Sequence, residues 1–322
     1  MLFLRREQRN CIAHTEDKVE LACQVCVQHR STRWPWHRFT RCSRLTDCTG
    51  FLGRRSQRDI PMTSTAPSTH RSRSTATTTT KKNATQPPLQ AQVAQILAAL
   101  QASSSEERKR VAVTYFPTAM RVLGVAVPAL RTIAKALAKE HKDDEPADVL
   151  ALAQALIADG SMEGRQVAYE LLEFHKATAL ALTADDIEHL RHGLDNWASV
   201  DSFAMSVAGP AWRRGQLKDA HIDAWSKSQD RFARRLALVC TVPLNMKSRG
   251  GTGDVPRTLR LCTRLAADRD DFVVKALSWA LREIAPHDEA ALRAFLATHE
   301  ATLHRRILRE VKSKLDTGRK NG

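Results

Sequence analysis

From about Val93 onward, apolar residues recur at steps of three and four, and no stretch keeps the two-residue alternation of a half-buried strand. That pattern predicts helices almost without interruption, separated by Pro and Gly punctuation from Pro128 to Pro286. Small residues fall in similar helical settings at Ala168, Ala204, Ala237 and Ala276, and a further helix centres near Ile307. The separations are 36, 33, 39 and 31 residues. A two-helix unit with a period in the thirties predicts an all-α, HEAT-like helical-repeat solenoid. Each pair cannot bury its apolar stripe alone, so neighbours stack into one core. An irregular helical bundle is the alternative.

The first part of the chain differs. Residues 1–61 sustain neither period, and residues 62–89 are mostly Ser, Thr, Arg and Lys with little to bury, which predicts disorder. No acidic residue occurs between Asp59 and Glu106. A transit segment, a flexible basic arm or an unselected leader all fit, and Met62 offers a second start. The domains expected are a basic leader over 1–89 and a repeat domain over 90–318.

Charge then qualifies the choice of partner. Fifty Lys and Arg stand against 35 Asp and Glu in 322 residues, a net +15 that suits a polyanion. Residues 1–90 hold 16 basic and 6 acidic side chains, so most of the excess lies outside the helical part. No apolar run approaches the ~20 residues of a membrane span, and a soluble, cytoplasmic protein is expected. Of seven cysteines, Cys240 and Cys262 fall in helical core patterns. Cys23, Cys26, His37 and Cys42 could ligate zinc, although their spacing fits no standard site and an unstructured leader is the simpler reading. Trp34, Trp36 and Phe39, set among arginines, could stack on single-stranded nucleic acid. The loop KSRGGTGD (247–254) lacks the Lys-Ser/Thr of a phosphate-binding loop and reads as a flexible connector. Trp212 and Trp225 read as core.

Three constellations carry candidate chemistry. In DFVVKALSWALREI, Val274, Leu277, Leu281 and Ile284 make the core face, while Lys275, Trp279 and Arg282 line up on the other side. Leaving indole surface among cations costs stability, which points to a DNA contact. In LDNWASVDSF, Trp197 and Asp201 are four apart and project together on a helix. From spacing alone, Asp201 as an N-cap of a helix running to about Gly209 is the simpler reading. In SQDRFARRLALV, Arg231 and Arg235 flank a core face; a solvated surface is the ordinary reading, an Arg fork holding phosphate the alternative.

Residues from about 105 to 315 resemble the AlkD-like DNA alkylation-repair family of HEAT-repeat glycosylases. The segments that carry the resemblance are TYFPTAMRVLGVAVPALR (114–131), DNWASVDSF (195–203), DRFARRLALV (230–239) and DFVVKALSWALRE (271–283), in the family's order. The resemblance implies a concave basic groove and hydrolysis of the N-glycosidic bond of N3- or N7-alkylated purines in duplex DNA. It places the catalytic group on Asp201 with Trp197 and Trp279, and DNA contacts on Tyr115 and Arg235; Lys275 and Arg282 join them from their place beside Trp279. It implies a monomer that needs no cofactor and no metal. Phe232 stands where the family often has Trp, and the 247–254 loop is atypical. The alternative function is a non-catalytic scaffold binding DNA or a protein partner.

Overall fold

The computed structural model describes residues 87–321. The expectations for the leader, its zinc ligands and its aromatic residues lie outside the described residues. Helices α1 (Leu89–Ala102) and α2 (Glu106–Tyr115) precede α3 (Val127–Glu140), α4 (Pro146–Ala158), α5 (Met162–Phe174), α6 (Lys176–Ala181) and α7 (Ala184–Arg191). Next come α8 (Trp197–Phe203), a π turn (Ala204–Ala208), α9 (Gly209–Arg213), α10 (Asp219–Ser226), α11 (Arg231–Val239) and α12 (Val242–Asn245). The chain ends in α13 (Val255–Arg264), α14 (Asp271–Ile284), α15 (Glu289–Thr298) and α16 (Arg305–Thr317). Among the described residues, β-structure amounts to two isolated bridges.

The helices form two layers. In one row α3 packs on α5, α5 on α8, α8 on α11, α11 on α14 and α14 on α16. Behind it α4 packs on α5, α10 on α11, and α13 and α15 on α14. This is the helical-repeat stack that the thirties-long period predicts. Its repeat residues fall in the first row: Ala168 on α5, Ala204 in the π turn, Ala237 on α11 and Ala276 on α14 are all fully buried, as is Ile307 on α16. A small side chain there lets one helix lie close to the next.

Local sequence starts five of the six first-row helices. The side chains of Ser161, Asn196, Asp230, Asp270 and His304 accept backbone N–H groups at the heads of α5, α8, α11, α14 and α16. The helix beginning at Trp197 does not stop at Gly209. It runs through to Arg213, because the π turn widens the coil just before Pro210, and Gly209 N–H reaches five residues back to the Ala204 carbonyl. A wider turn relieves the clash a proline ring makes in a regular helix. Gly209 is a packing residue and not a terminator. A Cβ there would lie 2.3 Å from Pro243 Cγ and 2.9 Å from the Cys240 carbonyl oxygen.

Polar contacts bridge the seams between successive first-row helices. Arg131 Nε lies 3.5 Å from Glu170 Oε1 (α3 to α5), and Ser206 Oγ donates to Glu173 Oε2 at 2.6 Å (α5 to the π turn). Glu310 on α16 accepts from Ser278 Oγ at 2.6 Å and Arg282 Nη1 at 2.8 Å on α14. The loop 247–254 is not the flexible connector expected. Gly251 and Gly253 N–H donate to the Met246 and Leu244 carbonyls, Asp254 N–H donates to Asn245 Oδ1, and His287 Nε2 reaches the Asn245 carbonyl at 2.8 Å. Trp212 and Trp225 are core, their indole N–H groups donating to Asp219 and Glu188. Cys240 and Cys262 are buried thiols. No helix among the described residues is long and apolar enough to cross a membrane.

Candidate active site

The site is built around the head of α8. Asn196 caps this helix, its Oδ1 accepting Ser199 N–H at 2.9 Å. Trp197 is therefore the first helical residue, and Asp201 lies one turn inside on the same face. The helix-cap reading of Asp201 is overturned: the residue before the Trp does that work. Asp201 is freed to pair sideways with α11.

Its partner is Arg235. Nε donates to Asp201 Oδ1 at 2.8 Å and Nη2 to Oδ2 at 2.7 Å, while Nη1 donates to the Phe272 carbonyl at 2.6 Å. Arg235 is 6% exposed, so its fork is committed within the protein and not open to a phosphate as expected. Burial raises the Asp201 pKa above the ordinary carboxylate value, and the Arg235 charge and hydrogen bonds oppose that rise. Because both carboxylate oxygens accept from the guanidinium, the geometry is that of an ionised pair. The Asp201 side chain keeps 17% exposure while both of its oxygens face Arg235.

Aromatic rings gather beside it. Trp197 is half-buried and meets Tyr115 edge-on, with centroids 5.8 Å apart and planes at 81°. Phe116 packs on the same indole at 5.0 Å. Tyr115, at the end of α2, stays 38% exposed. Phe116 was not anticipated from sequence, although its place next to Tyr115 was visible. Asp195 and Asn196 were also missed as functional candidates. They bond Thr118 and Ala119, more than seventy residues upstream, a contact without any local signal.

The outlying candidates on α14 separate. Trp279 is half-buried and donates its indole N–H to Glu283 Oε1 at 3.0 Å; burial raises the Glu283 pKa, opposed by that bond. Lys275 is exposed and pairs with Asp271 at 2.9 Å. Arg282 does not share that outward row: its side chain is 13% exposed and turned into the seam with α16, on Glu310 and Ser278. Arg231 is exposed on α11 and lies 5.1 Å over both the Phe232 and Phe272 rings. Among the described residues no three His, Cys, Asp or Glu side chains converge as a metal site requires.

The family model described as DNA alkylation repair enzyme matches residues 96–315. No curated protein matches the chain. Among solved structures, a predicted DNA alkylation repair enzyme from Enterococcus faecalis aligns with a TM-score of 0.55 at 16% identity, over 67% of this chain and 98% of that one. At that identity the likeness speaks for the fold alone.

Proposed function

The chain belongs to the DNA alkylation repair enzyme family, and from that premise we propose that it is a DNA glycosylase releasing alkylated, cationic purines from duplex DNA. The observation that carries the reading is a carboxylate held by an arginine fork, Asp201, one helical turn from Trp197 on the same helix face. Alkylation at N3 or N7 makes the purine a cationic leaving group. The glycosidic bond then breaks towards an oxocarbenium-like sugar, and Asp201 stabilises that charge and orients the attacking water.

Magnitudes decide what Arg235 does. A carboxylate at ~4 Å offers about 4 kcal/mol at an effective dielectric near 20, and a guanidinium behind it at ~8 Å returns about 2. The pair thus gives a net of about 2 kcal/mol, between one and two powers of ten in rate. Each indole face adds roughly 0.5–2 kcal/mol for a cation. Trp197 and Trp279 therefore add to the carboxylate without matching it, and Arg235 serves mainly to hold it ionised and aimed. Tyr115 borders the site, and Lys275 supplies an exposed cation for the DNA backbone. Arg282 supports α14 from within its seam. Selection by charge, not by a shaped base pocket, leaves room for bulky cationic lesions.

The test is direct. Purified protein is incubated with methylated duplex DNA, and the released base is identified by mass. Release of methylated purine, with an abasic strand left behind, is the expected outcome. Tight binding without any release would make the protein a DNA-binding scaffold of the same fold.

A further inference from the structure

Helix α2 buries none of its residues; Val111 and Val113 are 61% and 56% exposed. A ten-residue helix without a buried face is held by its ends, since isolated helices of that length are marginal in water. At the first end, Ser105 N–H donates to the Gly124 carbonyl at 3.0 Å. That strand of chain is itself anchored, because buried Glu163 accepts the N–H groups of Leu123, Gly124 and Val125. Gly124 sits at φ 86°, and a Cβ there would run into the Ser105 carbonyl oxygen and Lys109, so the position calls for glycine.

The second end is tied to the head of α8. Asp195 Oδ1 accepts from Thr118 Oγ1 at 2.6 Å, and Oδ2 accepts from Ala119 N–H at 2.6 Å. Asn196 Nδ2 donates to Thr118 Oγ1 at 3.3 Å and to Asp195 Oδ1 at 3.1 Å. Both oxygens of one carboxylate are thus spent on the turn that follows Tyr115 and Phe116, two residues before the Trp197 on which those rings pack. We propose that Asp195 is a positioning residue, latching the 116–119 turn so that Tyr115 is seated against Trp197 at the Asp201 site. Charge-assisted bonds to backbone and hydroxyl suit that task, being short and directional. The latch itself stands on geometry; its catalytic consequence rests on the glycosylase reading.

Hydrogen exchange and single-turnover base release, both on the full chain, test the two parts separately. In Asp195→Ala, amides of 106–119 should exchange about tenfold faster while 231–239 and 271–284 keep their protection. Release should fall about tenfold with DNA Kd within about threefold, the pattern of a lost positioning contact. Thr118→Val, which spares the Ala119 bond, should fall between wild type and Asp195→Ala in both readouts, and it replaces Asp195→Ala if that variant loses protection throughout. In a Tyr115→Ala background, Asp195→Ala should change release no further. Unchanged exchange over 106–119 overturns the latch, and an undiminished effect in the Tyr115→Ala background overturns action through Tyr115. If wild-type protein releases no base, the glycosylase reading fails, and the exchange result alone decides the latch.

Discussion

Arg235 closes on Asp201 with two parallel hydrogen bonds, and its remaining arm holds the backbone carbonyl of Phe272 on the following helix. One guanidinium therefore joins α8, α11 and α14, three successive members of the row. The carboxylate it fixes cannot rotate without leaving a buried cation unpaired, which is costly. That rigidity suits the proposed role of Asp201, since a charge already in place requires no reorganisation as a transition state forms.

Asp201→Asn keeps one acceptor for Arg235 but removes the negative charge. Stability should drop by about 1–3 kcal/mol, because a buried charged donor loses its matched partner. Base release should fall by roughly a hundredfold or more, since loss of the anion also leaves Arg235 repelling the sugar cation. Thermal melting and single-turnover release, measured well below the melting point, separate the two effects. Normal release would remove Asp201 from the mechanism.

The acid side of the pH profile should report the same residue. On the glycosylase reading excision needs the carboxylate, so the rate should decline as pH falls through a pKa that burial has raised above the ordinary value. Arg235→Met removes the cation that opposes the rise, and the acid limb should move to higher pH. Stability runs the other way. A carboxyl whose folded pKa lies above its unfolded one contributes most below the unfolded value, and the contribution is lost as pH rises through the folded value. An acid limb that stays put in Arg235→Met would show that another group titrates.

Trp279→Phe keeps an aromatic face and gives up only the N–H that meets Glu283. It should reduce release by no more than several-fold, whereas Trp279→Ala should cost about tenfold through loss of the cation–ring attraction. Equal losses in the two variants would mean that the hydrogen bond to Glu283, and not the ring face, is what counts.

Gly209→Ala would put a methyl where the π-turn helix meets Pro243 and two carbonyl oxygens. Overpacking of this kind costs about 1–3 kcal/mol, or a fall in Tm of several degrees for a domain of this size. A wild-type melting curve would show that this crossing can relax.

The sequence carried the repeat clearly, because a tight helix crossing demands a small side chain and Ala168, Ala204, Ala237 and Ala276 mark one crossing per unit. Trp197 and Asp201 were legible as a pair through their one-turn spacing. Their roles were not, since an Asp caps helices well and only the observed start of α8, capped by Asn196, takes that role from Asp201. Arg235 was legible as a fork but was read onto a DNA phosphate; its observed partner lies 34 residues away on another helix. Arg282 shares the heptad position that exposes Lys275, yet the buried acid Glu310 draws it inward. Gly209-Pro210 looked like a stop because a π turn leaves no mark in apolar periodicity.

On the glycosylase reading the protein meets the methylating reagents themselves, and those electrophiles attack thiolates as readily as purines. Cys240 and Cys262 are 0% exposed, and burial pushes both thiols well above their usual pKa. The anion that such reagents consume is therefore scarce, and neither sulfur meets solvent. The same close packing that stacks these helices shields their sulfur from chemical injury, so the repeat domain can outlast the exposure that creates its work.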